Sequence, residues 1–269
     1  MNVYNNNNKR GMEALAHARG RYTPLQMRDL ELLLQLGYTG ELSEAAFHSL
    51  SGMLSSDYLR SFVARDAYTS SVSWAVHTEE WQEDLRKLVA RLTSRTYPAV
   101  LEIGAGRGLL GAPMRKRGLK WVCTDIDPAL GSDVQKMGAL IAVRSYLGEI
   151  DVVFASWIPY EAEWDLELAN LCADNGLPLV IVGESGGGCT GSEALWGYRS
   201  FSDRYDDEGD EIPEEDLPEL PERRFKIEYV GELMPGFRDV PQWDGIRDHT
   251  YCALPEKGST CPLRGGWGL

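Results

Sequence analysis

The chain has 269 residues, 43% of them hydrophobic and 25% charged, with a formal net charge of −14 at pH 7. That composition suits ordinary globular material, and the negative balance argues against phosphate-driven nucleic-acid binding. No run of about 18 apolar residues exists, which excludes a membrane-spanning helix, and the polar start MNVYNNNNKRG lacks the apolar core of a signal peptide.

Residues 1–11 are expected to be a mobile lead-in, followed over 12–77 by a helical cap. Thr23-Pro24 opens a helix, with Thr as N-cap and Pro in the first turn, and the apolar spacing of LQMRDLELLLQLG ends at Gly37. A second helix begins at Ser43 and a third near Ser56, and YTSSVSWAVH (68–77) is an irregular connector. Thr78 caps the next helix, EEWQEDLRKLVARLTS, whose acids come early and bases late, matching the helix dipole.

From residue 98 the period changes. AVLEIG predicts a strand, GLLGAPMRKRG a helix, KWVCTD a strand, PALGSDVQKMG a helix opened by Pro128, and LIAV a third strand. IDVVFASW is the fourth strand, EAEWDLELANLCADNG a helix and LPLVIVGE the fifth strand. Strands alternating with helices imply right-handed crossovers and a parallel sheet. RFKIEYVGEL and HTYCAL then follow without a helix between them, which suits an antiparallel pair at the sheet edge. The α/β domain thus spans 78–255, with a tail at 256–269. An insertion at 206–222 holds ten acids and no Lys or Arg, leaving the rest of the chain at only −4. It is expected to be a solvated segment, a lid or a docking surface for a basic partner.

The five cysteines are scattered, with no CxxC pair, which points to reduced thiols in a cytoplasmic protein. The four histidines are scattered as well, so no structural metal site is expected.

The richest stretch is VLEIGAGRG, residues 100–108. In an open α/β sheet, ligands bind beyond the C-terminal strand ends. Gly104 ends the first strand there, glycines let a ligand approach the backbone, and a helix expected to start near Arg107 offers free N–H groups. Asp125 ends the second strand 21 residues later, where a carboxylate can accept from both ribose hydroxyls. These features make a nucleoside site. Two spellings compete: Gly106-x-Gly108-x-x-Gly111 fits a dinucleotide fingerprint two residues late, whereas Glu102-x-Gly104-x-Gly106-x-Gly108 starts where the strand ends.

The second register resembles the first motif of the class I S-adenosylmethionine-dependent methyltransferases, a Rossmann-like fold. The likeness covers roughly residues 68–255. Three stretches, SWAVHTEE, WIPY and VGESGGGCTG, are similar to one branch of that family, with His77 and Ile158 standing where the branch has proline. The resemblance implies S-adenosyl-L-methionine as cofactor. It places Glu102 on the methionine ammonium, Gly104, Ala105 and Gly106 beneath the ligand, and Asp125 on the ribose, with Ile126, Ser156 and Trp157 completing the set. The family's acid after the third strand, which meets the adenine, is absent here, so Ser145 and Tyr146 or backbone are expected to take that role.

Methyl transfer needs an aligned, unprotonated nucleophile and little water. The candidates at the sheet edge are Glu184, which ends the fifth strand, as a base or ammonium anchor, Tyr160 as a substrate-facing aromatic, and His77 beside the cap. Tyr68 and Trp74 could close the connector side, and Asp248-His249 opens the last strand. Trp157 stands where amine-methylating members of the family carry a polar residue. The leading expectation is methyl transfer to a small-molecule or peptide acceptor. A nicotinamide-dependent oxidoreductase and a non-catalytic binding module of the same fold remain as alternatives.

Overall fold

The structure, a computed structural model, describes residues 9–55, 58–129, 132–160, 162–186, 188–199, 204, 211–213, 217 and 219–256. The lead-in over residues 1–8, the third helix start at Ser56, the tail over 257–269 and most of the acidic insertion lie outside the described residues.

Four helices come first: α1 (Lys9–Arg19), α2 (Pro24–Thr39), α3 (Glu44–Leu54) and α4 (Tyr58–Ser71). Thr23 caps α2 in a full capping box with Gln26, and the helix runs past Gly37 to end at a left-handed Gly40. Ser43 caps α3 through the Ala46 amide. The connector expected from residue 68 starts later, because α4 continues to Ser71. Leu30, Leu33, Phe47, Leu50 and Tyr68 form a core shared by these helices, and Trp243 from the C-terminal part is buried in it. Helix α5 (Glu79–Thr93), capped by Thr78, lies on the sheet and buries Trp81, Leu85, Leu88 and Leu92. Each such side chain contributes roughly 1.5–3 kcal/mol on burial.

The sheet has seven strands in the order β3-β2-β1-β4-β5-β7-β6. These are β1 (Ala99–Ile103), β2 (Lys120–Asp125), β3 (Gln135–Lys136), β4 (Val152–Ser156), β5 (Leu179–Gly183), β6 (Phe225–Tyr229) and β7 (His249–Pro255). The first five run parallel, and β7 inserts antiparallel between β5 and β6. This is a Rossmann-like, mostly parallel sheet, with the antiparallel pair where the sequence placed it. Helix α5 and α6 (Gly111–Lys116) cover one face, while α7 (Ala139–Tyr146) and α8 (Asp165–Asp174) cover the other. Two short helices, α9 (Glu193–Trp196) and α10 (Val230–Leu233), complete the chain.

Three expectations are corrected. The helix expected at 128–138 is absent among the described residues, and Gln135–Lys136 pairs with β2 as the true third strand. Val134 is committed to packing: a Cβ on Gly108 would meet its Cγ2 at 2.6 Å. Residues 140–143, expected as that strand, lie in α7, where Ala142 and Val143 cover the sheet. A four-residue apolar run cannot by itself separate the two states. Finally, residues 230–233 leave β6 as a helical turn that buries Val230.

Among the described residues, no helix is long and apolar enough to cross a membrane.

Candidate active site

The loop after β1 is built by its glycines. Gly104, Gly106 and Gly108 have φ of +62°, +56° and +67°, which a right-handed helix cannot accommodate. The helix expected near Arg107 therefore starts only at Gly111. The loop is pinned by the Ala105 N–H to the Thr124 carbonyl (3.0 Å) and the Gly108 N–H to the Ala105 carbonyl (2.8 Å). A Cβ on Gly104 or Gly106 would meet nothing within 4 Å. The space above the loop is open there.

A cleft of about 220 Å³ occupies that space. Ser70, Ser73, Trp74 and His77 line one side; Glu102, the Gly104–Arg107 loop and Ser156 line the other. Arg107 ties the two sides together by donating to the Ser71 carbonyl and, at 3.3 Å, to the Ser70 carbonyl at the end of α4. The sequence offered no signal for that tie.

Glu102 sits on β1 with 5% exposure. Its Oε2 accepts from Trp121 Nε1 at 2.6 Å and from Cys123 Sγ at 3.3 Å. Burial pushes its pKa up to about 7, against the pull of those two donors and of the Arg115 charge. Asp125 ends β2 half-buried, and its Oδ2 accepts the Gly106 N–H at 2.7 Å while Oδ1 accepts the Asp127 N–H at 2.8 Å. A carboxylate has about four lone-pair sites, so each oxygen can accept one more donor. Ile126, next along, is 74% exposed.

Ser145 and Tyr146 are not behind a strand. They lie in the last turn of α7, Ser145 exposed and Tyr146 donating to Gln135 Oε1 at 2.8 Å. Their expected adenine role rested on a strand at 140–143 and falls with it.

Ser156 closes β4 with its Oγ buried and without a partner. Trp157 follows at φ +53°, a conformation that costs a non-glycine residue strain. Its N–H donates to the Val182 carbonyl at 2.8 Å, and its ring stacks on Trp74 at 5.2 Å. The Arg10 guanidinium lies over Trp74 at 5.9 Å, so α1, the connector and the β4 loop share one stack. Tyr160 is 52% exposed and outside the cleft lining.

His77 stacks flat on Trp81 at 4.8 Å, and its Nε2 is buried without a partner. Burial pushes its pKa down to about 4, so near neutral pH it is an uncharged imidazole. Glu184 is tied to its own loop: Oε2 accepts the Cys189 N–H at 2.9 Å, and the Glu184 N–H donates to Thr190 Oγ1 at 3.1 Å. Asp239, unremarked in the sequence, accepts from Thr250 Oγ1 at 2.7 Å and lies 3.1 Å from His249 Nδ1. Asp248 is buried at 2% exposure.

No family model matches this sequence, and no curated protein is similar to it at the sequence level. Among solved structures, the chain is similar to a SAM-dependent methyltransferase from Archaeoglobus fulgidus, with 19% identity, TM-score 0.34, and coverage of 64% of this chain and 92% of that one. It is also similar to the methyltransferase SibL, with 11% identity, TM-score 0.37, and coverage of 91% and 74%. Human N-acetylserotonin methyltransferase matches at 11% identity and TM-score 0.34, covering 93% of this chain and 68% of its own. At these values the functional reading rests on the site itself.

Proposed function

We propose that this chain transfers a methyl group from S-adenosylmethionine to a nitrogen or oxygen nucleophile on a small molecule or peptide. The observation that carries the reading is the cradle at the ends of β1 and β2. The space above Gly104 and Gly106 is open down to the backbone, with a buried carboxyl on one side and a backbone-fixed carboxylate on the other.

When bound, S-adenosylmethionine supplies a methyl group on a positively charged sulfur, a good leaving group. In the proposed arrangement Glu102 holds the amino-acid ammonium, while Gly104, Ala105 and Gly106 let the ligand lie against the backbone. Asp125 accepts from the ribose, and Ile126 offers an apolar edge to the base. The hydroxyl of Ser156 and the Trp74–Trp157 stack border the side toward the acceptor, where excluding water favours transfer. The uncharged His77 can accept a hydrogen bond from the acceptor, and Glu184 shapes the loop beyond it.

Calorimetry with S-adenosylmethionine, S-adenosylhomocysteine and NADH in parallel tests the reading. Heat with the first two and none with NADH supports it; heat with NADH alone overturns it in favour of hydride transfer. The lack of an acid after β3 favours a second reading, a binding module without turnover. That reading expects cofactor binding but no methyl transfer to any amine or hydroxyl acceptor.

A further inference from the structure

Buried polar atoms without hydrogen-bond partners are rare in folded proteins, and each asks for an explanation. Here Ser156 Oγ, Trp157 Nε1, His77 Nε2, Asp248 Oδ1 and Arg65 Nε are all of this kind. They come from β4 and the residue after it, the connector, the lead into β7, and α4.

Strand register puts two of them, Ser156 and Asp248, on the sheet face that carries the cleft. Gly183 pairs with His249 and Val182 with Thr250, so Glu184 and Asp248 stand opposite each other one step further along. Side chains alternate in a strand. Asp248 therefore shares a sheet face with Thr250, whose Oγ1 accepts from Trp81 Nε1 at 3.1 Å beneath α5. Ser156 pairs with Val182 and belongs to the same face. Serine, glutamate and aspartate thus follow one another across the ends of β4, β5 and β7, next to the glycine loop.

Asp248 is the acidic member of this row with an uncommitted buried oxygen. Its main chain is fixed by Gln242, whose Oε1 accepts the Asp248 N–H at 2.7 Å and whose Nε2 donates to the Asp248 carbonyl. The Trp157 indole N–H lies near enough to favour the ionised carboxylate, yet neither Trp157 Nε1 nor Asp248 Oδ1 completes a hydrogen bond. The charges that reach Asp248 are Glu184 and Asp239, both acids, against Arg65 alone. Arg65 closes no ion pair with it; the Arg65 guanidinium lies over the Phe62 ring at 5.8 Å. A buried carboxyl among acids, with a free oxygen, is a seat for a donor that brings positive charge.

Resting on the methyl-transfer reading, we propose that the acceptor carries an amine and that Asp248 is the residue that holds it. Burial, reinforced by Glu184, pushes Asp248 up to about 7, so the empty site need not keep an unpaired charge, and an entering ammonium completes a buried ion pair. Glu184 sets the local sign but spends Oε2 on the Cys189 amide.

The test needs no knowledge of the natural acceptor. The probes are S-adenosylhomocysteine analogues in which nitrogen replaces sulfur and bears an n-butyl, a 3-aminopropyl or a 2-carboxyethyl arm, with affinities measured by calorimetry. The aminopropyl analogue is expected to bind the wild type about tenfold or more tighter than the butyl analogue. In Asp248→Asn the advantage falls to about threefold or less, while unmodified S-adenosylhomocysteine binds both proteins equally. Asp248→Glu, which keeps the charge, retains the advantage and serves if the asparagine variant does not fold. Three results overturn the proposal while leaving cofactor binding intact: no gain from the amine in the wild type, a gain that persists in Asp248→Asn, or tightest binding by the carboxyethyl arm. If S-adenosylhomocysteine itself fails to bind the wild type, the methyl-transfer reading falls first and takes this one with it.

Discussion

Acidifying the solution should weaken cofactor binding through one buried carboxyl. Glu102 is held at about 7 in the free protein, mainly by burial. An ammonium pairs with the carboxylate only, so binding must draw the proton off whenever it is present. The apparent dissociation constant then scales with one plus the ratio of protonated to ionised Glu102. With the pKa at about 7, affinity for S-adenosylhomocysteine falls about tenfold from pH 8 to pH 6, or about 1.4 kcal/mol. At pH 7 about half a proton is released per ligand bound. Calorimetry at three pH values, in buffers of different ionisation enthalpy, reads both quantities. Glu102→Gln removes the pH dependence and weakens binding at pH 8. It also stabilises the free protein there: a carboxyl raised from 4.5 to about 7 costs stability as pH rises through that window, up to about 3 kcal/mol above it. The glutamine oxygen can still accept from Trp121 and Cys123. Constant affinity between pH 6 and 8 with no proton release, or the same slope in Glu102→Gln, would refute the placement of Glu102 on the ammonium.

Other substitutions separate the cradle from the scaffold. Gly106→Ala places a Cβ in open cleft space at φ +56°, so thermal unfolding should show a cost of about 1–2 kcal/mol while cofactor affinity drops far more; unchanged affinity would remove the loop from the ligand's path. Gly108→Ala should do the reverse, since its Cβ meets Val134 Cγ2 at 2.6 Å: stability falls and the binding titration of the folded fraction is little changed. Asp125→Ala removes a carboxylate worth about 1.5–3 kcal/mol for each ribose hydroxyl it accepts, and it leaves the Gly106 and Asp127 amides without their acceptor. A loss of affinity of at least about a hundredfold is expected in calorimetry, and an unaltered titration excludes the ribose role. On α5, burial opposes ionisation of Asp84, but Arg238 at 2.9 Å and Lys87 at 2.7 Å outweigh it and hold the group at about 2. Arg238→Met should cost about 1–2 kcal/mol in urea unfolding at pH 7, discounted because both cations are half exposed. The folded pKa lies below the unfolded one, so this contribution holds above pH 4 and about half of it is lost by pH 3; an equal cost at pH 7 and pH 3 would contradict the pairing.

The elements legible in the sequence are those whose determinants are local. Thr23, Ser43 and Thr78 cap helices because a hydroxyl three residues ahead of a free amide satisfies it wherever the helix lies. β1, β2, β4 and β5 appear as short apolar runs between turn residues, and the glycines and Asp125 mark the cradle, because glycine adopts those backbone angles without strain and an acid at a strand end is placed to meet a ligand. The third strand could not be found this way. Gln135 and Lys136 are both exposed, and they are strand only because the end of β2 offers them backbone partners. The apolar run at 139–143 is helix because the sheet face beside it needed covering.

The chain alone thus determined where helices begin, where the glycine turn falls and which acids end the first two strands, since those depend on neighbours in sequence. Tertiary structure alone decided that Arg107 fastens the loop to α4, that Glu102 is desolvated, and that Asp248 is buried ahead of β7 with an oxygen to spare. Burial and partnership are set by groups dozens of residues away, so a side chain's charge state and its free lone pairs exist only once the fold has brought those groups together.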